Sequence, residues 1–191
     1  MSAPRFVDLD HILALSRPVL DRFAALEPKP WDRRAVLLEL VGELGSLAHQ
    51  TQHWDGFKVG PSSTGKLADE CSDVLFVVLR LAKEDGIVLP RKLAAERARA
   101  DRATDLVLGM CACLGRIIGT QKATSAMLVE FLEYLVSLCE ILGLDLVRAH
   151  EVEMRIATQF LKVAGKSFPR ARRWRHPLAT LRLWYLLRQR K

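Results

Sequence analysis

The chain has 191 residues and a mass of 21.5 kDa, half of it apolar, with Gly and Pro together about a tenth. That length suits one domain or two small intertwined halves with an ordinary core, and the composition excludes collagen-like and low-complexity chains. The net charge of +7 is local: eleven of the 29 basic residues and no acidic residue follow Glu153, so residues 1–153 carry a net charge of −4, which gives no ground for a nucleic-acid-binding body.

Scarce Tyr, few β-branched runs and abundant Leu, Ala, Arg and Glu favour an all-α fold, and no segment reads as a strand. Ile12, Leu15, Val19, Leu20 and Phe23 predict a helix over 8–26, capped by Asp8 or Asp10 and ended by the prolines of residues 27–30. A second helix is expected over 32–52, from Val36, Leu37, Leu40, Val41, Leu44, Leu47 and Ala48. The Gly-, Ser- and Pro-rich stretch 54–65 is a loop. A third helix covers 66–85 and stops at Gly86; others are expected over 90–103, 104–119, 124–142 and 145–164.

Cys71, Cys111, Cys113 and Cys139 lie in apolar helical patterns without a Cys-x-x-Cys pair, so they read as small buried hydrophobes in a reducing compartment. Asp8 and Asp10 interrupt what would be a signal peptide, and no apolar run reaches the roughly 20 residues of a spanning helix. A cytoplasmic, soluble protein is expected.

Residues 74–89 align with 131–146 at an offset of 57, which places Gly86 on Gly143, and 40–48 align with 110–118 at an offset of 70. The 13-residue difference is about the length of the loop after Trp54. Two helical-hairpin units are therefore expected, the second without that loop. The domain reading is 1–103 for the first unit, 104–165 for a second unit packed on it, and 166–191 for a basic tail.

Acidic residues carry the functional lead. Glu39 and Glu43 are four apart and Glu70 and Asp73 three apart, so each pair projects from one side of its helix, beside residues that face a core. Facing buried carboxylates repel, unless a hard divalent cation lies between them. Ordinary surface acids at helical spacing would show the same pattern. His49 and His53, at i and i+4, have a spacing that can bind a transition metal.

The run LLELVGELGSLAH (37–49), Trp54, the loop and ADECSDVLFVVLRLA (68–82) resemble the MazG-like, all-α nucleoside triphosphate pyrophosphohydrolases, nearest the dCTP pyrophosphatase branch. The likeness covers residues 8–90, and Glu70-x-x-Asp73 is its most specific piece. It implies a Mg²⁺-dependent enzyme that converts a (d)NTP to the monophosphate and pyrophosphate, in an oligomeric helical bundle. Glu43, Glu70 and Asp73 would be the catalytic, metal-binding carboxylates. The family's first motif, E-x-x-E, is incomplete: Ser46 stands at its second position, and Glu39, one turn before Glu43, is the candidate to replace the missing ligand. Trp54 would stack on a base, with Lys58, Lys66, Lys92 and Arg97 near the phosphates. Glu96 and Ala100 stand where the family's Lys and Asn are expected. Met127 and Glu130 stand where the second unit would repeat Glu70 and Asp73. A catalytically degenerate member that binds a nucleotide or partner without turnover is the alternative.

The tail, residues 166–191, is basic and Leu-rich with Trp184 and Tyr185. It can pack its apolar side on the bundle, lie on an anionic membrane, touch nucleic acid or act as an adaptor for a partner protein.

Overall fold

The structure, a computed structural model, describes residues 6–27, 29–61, 63–94 and 101–167. The first expected helix forms as α1, Leu9–Leu26, with Asp8 accepting from the amide of His11 at its start. Asp32 caps α2 (Arg33–Trp54) and Ser63 caps α3 (Thr64–Glu84) in the same way. Each cap satisfies an amide that the first helical turn leaves without a partner. Then come α4 (Ala103–Ile118), α5 (Ser125–Ile141), capped by Thr124, and α6 (Leu146–Ser167), whose first turn is capped by Asp145. The all-α expectation holds.

Two details differ from the sequence reading. Phe6–Asp8 (β1) pairs antiparallel with Lys92–Ala94 (β2), in the register Phe6↔Ala94, Val7↔Leu93 and Asp8↔Lys92. Residues 92–94 are therefore extended, where a helix over 90–103 was expected. The local propensity of this Leu-, Ala- and Arg-rich stretch is overridden by pairing with a strand about 85 residues away in the chain. Residues 95–100 and the tail from 168 onward, with Arg97 and the tail's basic and Leu-rich segments, lie outside the described residues. Cys111 is the other correction: it is exposed on α4, while Cys71, Cys113 and Cys139 are buried.

Helix α3 occupies the middle. From Cys71 to Ala82 every residue is buried except Asp73 and Phe76, which are half-buried. It packs on α2, α5, α6 and α1, while α4 packs on α5 and α2. One continuous core, including Leu40, Leu75, Met110 and Phe131, runs through both expected hairpin units. A smaller cluster of Val19, Met154, Ala157, Phe160 and Leu161 fastens α6 to α1. Among the described residues no helix is long and apolar enough to cross a membrane.

The hairpin repeat has a structural counterpart. Shifting by 70 places the first residue of α2, Arg33, on the first of α4, Ala103. Shifting by 57 places the last residue of α3, Glu84, on the last of α5, Ile141. Both second helices end in one turn: Ile87 donates to the carbonyl of Ala82 and Leu144 to that of Cys139, each at 2.8 Å. Gly86 and Gly143 take positive φ of 62° and 66° there, the left-handed conformation that glycine adopts without a Cβ clash. The second hairpin lacks more than the loop. The first is longer by six residues at the end of α2, three in the connection and four at the start of α3.

Polar side chains tie the units together. Buried Asp85, following α3, accepts from Arg33 Nε at 3.2 Å and from the amide of Ala123 at 2.8 Å, while Arg33 Nη2 donates to the carbonyl of Ile117 at 2.9 Å. Asp55, following α2, accepts from the amide and hydroxyl of Thr104, which satisfies the open start of α4. Arg80 on α3 makes a two-pronged pair with Glu27, at 2.7 and 2.9 Å, and lies 4.2 Å from the centre of the Trp31 ring. That pair fixes the α1–α2 connection onto the central helix.

His150 on α6 is fully buried between two serines. Ser16 spends its hydroxyl proton on the carbonyl of Ile12, so it accepts from His150 Nε2 at 2.7 Å, and Ser72 donates to Nδ1 at 3.0 Å. Both ring nitrogens are satisfied in the neutral tautomer. Burial, reinforced by His11, pushes the imidazole down to about 4 from 6.5. The unfolded chain therefore takes up a proton below about pH 6.5 that the folded chain refuses until about pH 4. Stability is complete above pH 6.5 and declines as pH falls through that window, by about 2 kcal/mol at pH 5. Urea unfolding of the wild type at pH 7.5 and pH 5 measures this loss, and His150→Gln removes that part of the pH dependence.

Candidate metal centre

Glu43 reaches this centre from α2, and Glu70 and Asp73 reach it from α3. The inward faces of the two helices set this position. Leu40, Leu44 and Leu47 bury one side of α2, and Glu43 lies beside that stripe. On α3, Asp73 is a half-buried position in an otherwise buried stretch, one turn on from Glu70. One oxygen from each of the three carboxylates lies within 4.8 Å of the others, and all three residues are half-buried. A donor set of carboxylate oxygens alone matches a hard divalent cation such as Mg²⁺, with the remaining octahedral positions left to water and ligand oxygens.

Glu39 does not belong to this group. One turn before Glu43, it is half-buried; burial pushes its carboxyl pKa up, against the opposing pull of Arg80. Four residues along a helix move a side chain about 6 Å down the axis, and there Glu39 feels the charge of Arg80. Ser46 is exposed on α2.

The remaining candidates lie at the tip of the hairpin or away from it. The extra residues of the first hairpin hold Trp54, partly exposed as the last residue of α2, with exposed Lys58 in the connection and exposed Lys66 in the first turn of α3. Lys58 is engaged: its ammonium donates to His49 Nδ1 at 2.8 Å. The neutral His49 ring then carries its proton on Nε2, which faces His53 Nε2 at 3.3 Å. The lone pairs a transition metal would need are thus occupied by hydrogen bonds. Lys58, some loss of hydration, His53 and Lys66 all push the pKa of the exposed His49 down, so the tip carries a positive field. Lys92 lies on β2 opposite Asp8, and Arg97 is outside the described residues.

Sequence reasoning did not find Arg80, Arg33, Asp85 or His150. Each is a lone polar residue in an apolar stretch, a weak signal until its partner is known. No protein-family description, curated protein or solved structure matches this chain.

The raised Glu39 pKa has a testable sign. A carboxyl held above its ordinary value favours the folded state below about pH 4.5 and costs stability as pH rises through the folded value. Glu39→Gln removes that cost at neutral pH. The side chain is half-buried, so the expected result is a small rise in Tm at pH 7 that vanishes at pH 4. Thermal unfolding followed by circular dichroism at both pH values checks it.

Proposed function

We propose that the α2–α3 hairpin holds Mg²⁺ between Glu43, Glu70 and Asp73 and hydrolyses a nucleoside triphosphate to the monophosphate and pyrophosphate. The observation that carries this reading is the approach of three carboxylate oxygens, from two helices, to within 4.8 Å of one another. The resemblance of residues 37–49 and 68–82 to MazG-like pyrophosphohydrolases supports it.

The cation would neutralise phosphate oxygens and the charge that develops as the bond between the α and β phosphates breaks. The protein's own part is positional. Glu43, Glu70 and Asp73 would hold the cation, and one of them would accept a proton from the attacking water. Lys66 and the His49–Lys58 pair supply positive field at the tip, beside exposed Trp54, which offers an aromatic face to a base. Water adds to one of these two phosphorus atoms, the bridging oxygen leaves on the other, and no redox partner is required. We further propose that the chain works in the cytoplasm as an oligomer.

A second reading rests on Ser46. A hydroxyl there brings no charge to a site that resembles four-carboxylate centres, and this favours a protein that binds a nucleotide without turning it over.

One experiment separates the two readings. Pyrophosphate release from a panel of NTPs and dNTPs is measured with Mg²⁺ and with EDTA, alongside nucleotide-induced thermal shifts. The enzyme reading expects Mg²⁺-dependent release that Glu70→Gln or Asp73→Asn lowers at least about 100-fold in kcat/KM, about 2.7 kcal/mol of barrier. A thermal shift without release favours the binding reading. Neither release nor shift, or release unchanged in both variants, removes the site assignment.

A further inference from the structure

The two hairpins can be compared residue by residue, because the start of the first helix and the end of the second coincide under offsets of 70 and 57. Under those offsets Glu43 corresponds to Cys113, Ser46 to Arg116, Glu70 to Met127 and Asp73 to Glu130. The correspondence is spatial as well as sequential. Glu43 and Asp73 approach one another across the first hairpin, and Cys113 and Glu130 interact across the second. Between these two lies a side-chain cation: Arg116 Nη2 is 2.7 Å from Glu130 Oε2 and 3.1 Å from Cys113 Sγ.

We propose that the α4–α5 hairpin is a copy of α2–α3 in which the guanidinium of Arg116 occupies the place of the divalent cation, so that each chain holds one cation site rather than two. This rests on the reading of Glu43, Glu70 and Asp73 as a cation site. The charges support it. The first hairpin gathers three carboxylates. The second has exchanged one for the apolar Met127 and another for Cys113, whose thiol is pushed up to about 11, first by burial and then by Glu130, and so stays neutral at pH 7. Glu130 and Arg116 then cancel. A centre that is balanced by its own side chains offers a second cation neither ligands nor charge. Ser46, by contrast, is a short exposed side chain at the place corresponding to Arg116, and it brings no charge to the first-hairpin carboxylates.

The test is cation stoichiometry, with Mn²⁺ as the probe and the full-length chain titrated by calorimetry and electron paramagnetic resonance. The expected result is one equivalent for the wild type and one, with unchanged affinity, for Arg116→Ala. Ser46→Arg, which brings a guanidinium to the first hairpin, is expected to weaken Mn²⁺ binding at least tenfold while its far-ultraviolet circular dichroism stays that of the wild type. The triple change Cys113→Glu, Arg116→Ser and Met127→Glu is expected to add a second equivalent. Two equivalents in the wild type, or wild-type Mn²⁺ affinity in a folded Ser46→Arg, overturns the inference while the first-hairpin site stands. No Mn²⁺ bound by the wild type removes the cation reading itself, and this inference with it.

Discussion

Burial of α3 on nearly all sides is the constraint from which most of this structure follows. A helix packed against four others leaves little water for its polar side chains, and an unpartnered buried polar group is costly. The buried polar residues along α3 are accordingly met by particular partners. Ser72 finds His150 on α6, and Arg80 finds Glu27 and Trp31 in the α1–α2 connection. Asp85, just past the end, gathers Arg33 and the amide of Ala123. Glu70 and Asp73 come to Glu43. The packing of α2 on α3 thus sets three carboxylates together beside the core, where a bound cation would offset their mutual repulsion.

The thiols follow the same logic with weaker groups. Cys71 meets Cys139 across the α3–α5 contact, and that hydrogen bond together with burial pushes the Cys71 thiol pKa well up. A protonated thiol there behaves as a small apolar side chain with a weak donor. The neighbouring carboxylates Glu70 and Asp73 push it the same way, so negative charge stays on the oxygens and is not shared with sulfur.

One chain carries two hairpins that share a frame and differ in chemistry. The ends that build the core are kept: both hairpins start their first helix and finish their second at matching positions, and both close on a glycine in the same turn. The tip is free to vary, because it lies beyond the shared core. There the first hairpin is longer and holds Trp54, His49, His53, Lys58 and Lys66. Between core and tip, matching positions hold a short serine in the first hairpin and, in the second, a long arginine paired with Glu130.

Much of this was legible in the sequence. Helical spacing of leucines located six helices, Asp8 marked where the first begins, and Gly86 marked where α3 ends. These are local properties, set by the 3.6-residue period and by the amides left open at a helix start. The i, i+3 spacing likewise determined that Glu70 and Asp73 share a face. The tertiary structure decided what is not local. It turned residues 92–94 into a strand by pairing them with residues 6–8, left Cys111 exposed, left Glu39 out of the carboxylate group, and set Arg116 against Glu130. Each of these depends on which helix faces which, and spacing along one helix does not carry that information. It is fixed only when the apolar faces of several helices close on a common core and every charge near that core must find its counter-charge.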